Sequence, residues 1–334
     1  MSGNGISKAV RAALTSVGGP LAALVLAVII VSLSTDRFLT GQNLSNVSLQ
    51  VSGVAIAAIG ATLVILTGGI DLSPGATVAL TSCTLAVLAK NLDLPVPIAV
   101  ALVLLLGAFL GFVNGFFSTY MRIPSFVVTL ATMSVYRGLA FLITNGSPIF
   151  SISPDLEPVF YGNFLGLPLP FYYVVVLYII TLIFLRYTVP GRSIYAVGGN
   201  ESAARLSGIQ VNRTRLLAFV LAGLTAAIAG VLTTARLDSG SPNYGVGTEL
   251  QAIAAAVIGG ASLTGGHGNI ISTLFGALTV AVVQNGLNLN IVPSSWQEIT
   301  LGGIIVLAVG IDMWRSDLSH RVSQLIGTLR PKRE

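Results

Sequence analysis

The chain has 334 residues, of which 54% are hydrophobic and only 9% charged, and its mean hydropathy is +0.87. Soluble domains carry about 25% charged residues, so this composition excludes a soluble globular protein and indicates a surface that largely faces lipid. The net charge is +5, but the basic residues are scattered between apolar runs and lack the clustered face that nucleic-acid binding requires. The single cysteine, Cys83, lies in an apolar run and excludes a disulfide framework.

The apolar runs predict an all-α fold, a polytopic transmembrane helical bundle. A helix needs about 20 apolar residues to cross a bilayer core. Runs of this kind lie near 20–34, 49–67, 76–89, 95–118, 126–144, 170–186, 215–235, 250–264, 268–289 and 298–314. The sequence therefore predicts about ten spans, and because several runs are short, counts from about eight to about eleven stay open.

The distribution of basic residues predicts the orientation, because Lys and Arg concentrate on the cytoplasmic side of a membrane protein. With both termini inside, thirteen of the seventeen basic residues are cytoplasmic: Lys8, Arg11, Arg122, Arg186, Arg192, Arg205, Arg213, Arg215, Arg315, Arg321, Arg330, Lys332 and Arg333. The predicted organisation is a cytoplasmic N-terminal segment (1–19), a transmembrane domain (20–314) that contains a long cytoplasmic loop (187–214), and a cytoplasmic tail (315–334).

Two glycine-rich segments interrupt the helical pattern. The segment 68–75 reads Gly-Gly-Ile-Asp-Leu-Ser-Pro-Gly, and 259–266 reads Gly-Gly-Ala-Ser-Leu-Thr-Gly-Gly. Glycine and proline break helices, and paired breaks in two related halves are typical of a transport pathway. The alternative is a pair of tight turns between packed helices. Asp71 favours a functional break, since a carboxylate at membrane depth is costly, although a helix-capping role stays open.

Small and polar residues inside the runs suggest packing and pathway positions. Gly107, Gly111 and Gly115 lie four apart and predict close approach of two helices. The residues that could hydrogen-bond a polyol in a pathway are Asp71, Ser73, Asn114, Arg137, Gln284, Asn285 and Asn288. Contact between helices is the alternative role for each of the amides and for Arg137.

The sequence lacks the residues that phosphate binding and metal binding require, and it has few of those that ion coupling requires. None of the three lysines (Lys8, Lys90 and Lys332) follows a glycine, so a phosphate-binding P-loop is excluded. The two histidines, His267 and His320, stand alone, so we expect no catalytic residue, no metal and no bound cofactor. The few ionisable groups in the spans disfavour an ion-coupled secondary sugar transporter, which stays the alternative to an ATP-driven one.

The cytoplasmic loop contains a predicted short helix. Residues 201–206 are helix-forming, and Asn200 is placed to cap them. A rigid helix at this face could be pushed by a soluble partner, or it could lie on anionic lipid as a plain connection.

The sequence resembles the permeases of bacterial carbohydrate ABC importers of the ribose type, from about residue 20 to 314. The motifs that carry the resemblance are Gly-Gly-Ile-Asp-Leu-Ser at 68–73, Thr-Asn-Gly-Ser-Pro-Ile at 144–149, Gly-Gly-Asn-Glu-Ser-Ala-Ala-Arg-Leu-Ser-Gly-Ile at 198–209, and Gly-Gly-Ala-Ser-Leu-Thr-Gly-Gly at 259–266. It implies a non-enzymatic subunit of the bacterial inner membrane that translocates ribose or a related pentose or hexose by alternating access.

The resemblance also implies partners. They are an ABC ATPase subunit that binds ATP and Mg²⁺, a periplasmic sugar-binding protein, a second permease copy or paralogue, and membrane lipid. The matching residues expected to contact the ATPase are Gly198, Gly199, Asn200, Glu201, Ala204, Arg205, Leu206 and Gly208.

Overall fold

The computed structural model describes the backbone of residues 4–310 and the side chains of residues 17–310. Its first half contains α1 (Asn4–Ser34), α2 (Gly41–Leu66), α3 (Pro74–Ala86) continued by a π-helical turn (Val87–Asn91), α4 (Val96–Thr119) and α5 (Ser125–Ile143). An irregular segment follows with β1 (Ile149–Phe150), α6 (Leu156–Phe160), β2 (Asn163–Phe164) and β3 (Leu167–Pro168). The second half contains α7 (Leu169–Tyr187), α8 (Val189–Gly199), α9 (Glu201–Leu206), α10 (Val211–Leu237), β4 (Ser239–Gly240), α11 (Thr248–Ile258), α12 (Ile270–Leu289) and α13 (residues 294–310).

Each predicted apolar run falls on a helix. Among the described residues, seven helices are long and apolar enough to cross a membrane, namely α1, α2, α4, α5, α7, α10 and α12. The three remaining runs fall on α3, α11 and the described part of α13, which are shorter. The predicted tail (315–334) and the end of the last run (311–314) lie outside the described residues. The protein is therefore a multi-pass helical membrane protein.

The helices form an inner group and an outer group. Most of the apolar stretch of α2, 78% of it, is buried within the protein, whereas the corresponding share is 22% for α5 and 28% for α7. An apolar helix that is not covered by protein must face lipid. α2 therefore lies at the centre with α10, α12 and the two short helices α3 and α11, while α1, α4, α5 and α7 surround them.

The predicted small-residue face on α4 packs against α10. A Cβ on Gly111 would lie 2.1 Å from the carbonyl oxygen of Phe219, and one on Gly107 would lie 2.6 Å from that of Gly223. Gly223 in turn admits no Cβ, because Gly107 O would be 2.1 Å away. This contact confirms that the glycine spacing allows two helix backbones to approach closely.

Two short antiparallel ladders connect the elements outside the bundle. Strand β1 pairs with β4 through Ile149 opposite Gly240, and β2 pairs with β3 in a hairpin. The first ladder joins the segment after α5 to the segment after α10. It fixes the start of the 238–247 loop that leads into α11.

Candidate functional site

The first interruption, between α2 and α3, is a stretch of non-helical backbone whose amides bond to side chains of α5. Helix α2 ends at Leu66, and Gly68 takes a left-handed conformation with φ of +79°. The amides of Ile70 and Leu72 then donate to Ser125 Oγ and Thr129 Oγ1, each at 3.0 Å. Irregular backbone inside a membrane protein persists only where such partners replace the lost helical bonds.

Three of the predicted pathway residues meet at the start of α3. The buried Asp71 accepts hydrogen bonds through Oδ1 from the amide and the hydroxyl of Ser73, at 2.8 and 2.7 Å. Asn114 Nδ2 donates to Ser73 Oγ at 2.8 Å, and Asn114 Oδ1 accepts from Thr132 Oγ1 at 2.6 Å. The cluster joins α3, α4 and α5, so each of the three residues has an intramolecular structural role. Contact with a substrate stays a prediction for them.

Three more of the predicted pathway residues lie on α12 and have different partners. Asn285 and the buried Asn43 of α2 exchange two amide hydrogen bonds of 3.0 Å each. Asn288 Oδ1 accepts from Gln297 Nε2 at 2.8 Å, which joins α12 to α13. Gln284 Oε1 lies 3.5 Å from Gln251 Nε2 on α11. Within residues 17–310, no hydrogen bond connects this group to the Asp71 cluster.

The second interruption, after α11, resembles the first in its opening turn. Gly260 has a φ of +82° and, like Gly68, follows the capping residue of its helix. In the aligned sequence motifs, Gly68 corresponds to Gly259. In the structure, the residue that follows the helix cap is Gly68 in the first interruption and Gly260 in the second. The local geometry is thus repeated one residue out of register with the sequence motif. A wider relation between two halves of the chain stays a prediction.

The two interruptions meet the 187–214 loop in a backbone contact that we name the glycine junction (Gly68, Gly198, Gly265 and Gly266). A Cβ on Gly198 would lie 1.9 Å from Leu66 O and 2.5 Å from Gly266 N. A Cβ on Gly265 would lie 2.8 Å from Gly68 N. The Gly266 amide donates to Leu66 O at 3.0 Å, closing the contact.

Helix α8 is held on this junction, and α9 follows it. Tyr195 of α8 donates its hydroxyl to Gly268 O at 3.1 Å. Burial raises the pKa of Tyr195, so the phenol stays a donor at neutral pH. Asn200 Oδ1 then accepts from the Ala203 amide at 2.9 Å, which confirms the predicted cap of the short helix.

Helix α9 is attached to α10 by an ion pair. Glu201 binds Arg205 one turn later and Arg215 at the start of α10, each at 2.9 Å. The hydrogen bond from Arg205 is the largest cause that lowers the pKa of Glu201, and the charge of Arg215 acts in the same direction. Ala204 is buried, whereas the Leu206 side chain is 90% exposed. Gly208, with a φ of +82°, ends the helix.

Arg137 holds the loop that precedes α11, a role that the sequence does not indicate. Its Nη1 donates to Pro242 O and Tyr244 O, both at 2.7 Å. In the same region Glu249 Oε2 is buried without a hydrogen-bond partner among the described residues. A Cβ on Gly75 would lie 2.1 Å from this oxygen, so the carboxylate lies against the first turn of α3. The positive end of a helix stabilises a negative charge there.

A cavity of about 290 Å³ lies between α2, the end of α10 and this loop. Val78 of α3 lines it, and its polar lining comes from Gln50, Ser52, Thr233, Arg236, Asn243, Tyr244 and Thr248. Sequence reasoning missed these residues. They belong to four separate segments, and no local motif marks them.

A bundle of membrane-spanning helices whose connecting segments pack closely against one another is typical of a membrane transport subunit. Residues 43–309 match the family described as "Branched-chain amino acid transport system / permease component". The chain belongs to that family.

Curated relatives cover most of the chain. The ribose import permease protein of Escherichia coli (strain K12) is 44% identical over 296 residues, which are 87% of this chain and 92% of that protein. The ribose import permease protein of Bacillus subtilis (strain 168) is 43% identical over 301 residues, covering 89% and 93%. The xylose transport system permease protein of Haemophilus influenzae is 35% identical, covering 84% and 92%.

Proposed function

We propose that the chain is the permease subunit of an ATP-driven importer that carries ribose or a related pentose or hexose. The family match and the names of the relatives support this proposal. The proposal includes an ABC ATPase subunit, a periplasmic binding protein and a second permease copy or paralogue as partners. It also includes about ten spans in a bacterial inner membrane, with both termini in the cytoplasm.

The observation that carries the mechanism is the glycine junction beneath α8. Because a Cβ on Gly198 would collide with backbone atoms of both Leu66 and Gly266, no side chain separates the cytoplasmic loop from the two interruptions. No flexible side chain therefore lies between these backbones that could absorb a displacement of α8. It would reach α3 through residues 68–73 and α11 through residues 259–266.

Helix α9 is proposed to receive the force from the ATPase. Leu206 is 90% exposed at its end, and an exposed apolar side chain next to the charged pair Glu201–Arg205 suits a protein interface. The Glu201–Arg215 bond fixes the helix to α10, so that a push on Leu206 would move α9 as a rigid body rather than bend it away.

Reconstitution with the partners tests this function. The tagged chain is purified from native membranes, and the co-purifying proteins are identified and assayed for ATP hydrolysis stimulated by sugar-loaded binding protein. An ATPase partner with stimulated turnover is expected. A lone protein that moves sugar without ATP would contradict the proposal and favour an ion-coupled carrier.

The interface is tested by Leu206→Asp, with Leu165→Asp as the matched control. Leu165 is similarly exposed, at 83%, but lies in the β2–β3 hairpin. We expect Leu206→Asp to lose the ATPase from the purified complex and Leu165→Asp to retain it. Equal recovery of the ATPase with both variants would remove α9 from the interface.

A further inference from the structure

The cavity between α2, α10 and the 238–247 loop does not involve any residue of the Asp71 or α12 groups. It lies at the C-terminal end of α10, which the charge distribution predicts to face outward. Its floor is formed by the buried side chains of Val78, Ala229 and Leu232. Its volume, about 290 Å³, is close to the lower limit of about 300 Å³ for small-molecule pockets.

Three exposed polar side chains of this cavity are available to bind a ligand. Within the described part of the chain, the side chains of Gln50, Arg236 and Asn243 have no hydrogen-bond or ion-pair partner, although each lines the cavity. The two amides each supply donors and an acceptor, and the guanidinium supplies donors only. This is unlike the Asp71 and Asn285 clusters, whose polar groups are bonded to one another.

The charge and shape of the lining suit a neutral polyol. No carboxylate lines the cavity, and Arg236 is its one charged residue, so a cation would find no counter-charge. Amides and hydroxyls can bond to vicinal hydroxyl groups, while the apolar floor packs against the carbon face of a sugar ring. At Gly53 a Cβ would meet only Thr233 Oγ1, at 4.0 Å, so this wall has room for a ligand.

We propose that this cavity is a monosaccharide-binding site of the permease itself, formed by Gln50, Arg236, Asn243 and the hydroxyl of Thr248. The inference rests on the proposed function and locates the sugar in the permease. Two of its walls are connected to the glycine junction: α2 ends at Leu66, and α11 leads from Thr248 to the second interruption. A movement at the junction would therefore reshape the site and release the sugar.

The first test measures sugar transported per ATP hydrolysed in proteoliposomes that contain the complete complex and ribose-loaded binding protein. Gln50→Ala, Asn243→Ala and the cavity-filling Gly53→Val are compared with Asn46→Ala, an exposed amide on α2 that does not line the cavity. We expect the three cavity variants to lower the ratio at least several-fold and the control to keep the wild-type ratio. Wild-type ratios in all three cavity variants would overturn the inference.

The second test locates the sugar directly and does not depend on coupling. Thr233→Cys is made in a Cys83→Ala background, and its reaction with a membrane-impermeant thiol reagent is measured with and without millimolar ribose. Ribose is expected to slow the labelling of Thr233→Cys and to leave that of an Asn46→Cys control unchanged. Equal labelling rates at position 233 would overturn the site. If the unmodified complex shows no stimulated ATP hydrolysis, the proposed function itself fails.

Discussion

The glycine junction predicts that adding one methyl group at Gly198 will destabilise the protein. The added Cβ of Gly198→Ala would lie 1.9 Å from Leu66 O and 2.5 Å from Gly266 N. Both are backbone atoms in segments held by the Gly266–Leu66 hydrogen bond, so neither can rotate away as a side chain would. Overpacking costs about 1–3 kcal/mol in ordinary cores, and we expect a loss of about 3 kcal/mol here.

The adjacent residue provides the matched control. A Cβ on Gly199 would have Gly266 Cα as its nearest neighbour, at 4.0 Å, which is ordinary contact. Because alanine is favoured over glycine in helices by up to about 1 kcal/mol, Gly199→Ala should be neutral or slightly stabilising. The two variants have the same composition and differ only in which side of α8 carries the methyl group.

Thermal unfolding of the purified chain in detergent measures the effect. Cys83 is the single cysteine and is fully buried, so its reaction with a thiol-reactive dye reports unfolding without added labels. Gly198→Ala should melt several degrees below the wild type and lose sugar uptake, whereas Gly199→Ala should do neither. Equal melting temperatures for the two variants would show that the loop does not contact the interruptions in this way.

Three further contacts give predictions of their own. Asn285→Ala should cost about 1–3 kcal/mol in thermal unfolding because Oδ1 of the buried Asn43 loses its donor, and full stability would refute the amide pair. Arg137→Met should destabilise more than Arg137→Lys, because two carbonyl groups lose their donor; equal melting would contradict that role. Glu201→Gln should weaken sugar uptake per ATP, and a double-mutant cycle with Arg215→Gln should give a coupling energy of about 0.2–1 kcal/mol. Since the pKa of Glu201 is lowered, the stabilisation by this pair should persist at neutral pH and disappear only as the pH falls below the usual carboxylate range of about 4; a loss near pH 6 would be inconsistent with it.

The long helices could be predicted from the sequence because their apolar length has one cause, the thickness of the lipid core. The cap of α9 could also be predicted from the local sequence, because Asn200 and the Ala203 amide that it binds are three residues apart. The glycine spacing on α4 predicted a close helix contact. It did not identify α10 as the partner, because that information lies in another segment.

The candidate site was less predictable because its residues acquire their roles from distant partners. Asn285 was recognised as an amide inside a span, but its partner Asn43 is 242 positions away. The sequence predicts Asp71 and Ser73 as pathway residues, yet their hydrogen bonds are to each other and to Asn114. Conversely, Gln50 and Arg236 carry no motif at all, and only the fold brings them to one cavity.

The contrast between buried polar groups bonded to one another and exposed polar groups at the cavity separates the rigid parts of this protein from the parts that can bind. The Asp71 cluster and the Asn43–Asn285 pair use their polar atoms internally, which stabilises one arrangement of α2, α3, α4, α5 and α12. Gln50, Arg236 and Asn243 line the cavity as exposed side chains without a hydrogen-bond partner among the described residues. A transport pathway must bind its cargo and also release it, so weak contacts from free amides suit it better than a fixed, fully bonded cluster. The glycine junction connects the 187–214 loop to the C-terminal ends of α2 and α11, the two helices whose opposite ends line the cavity.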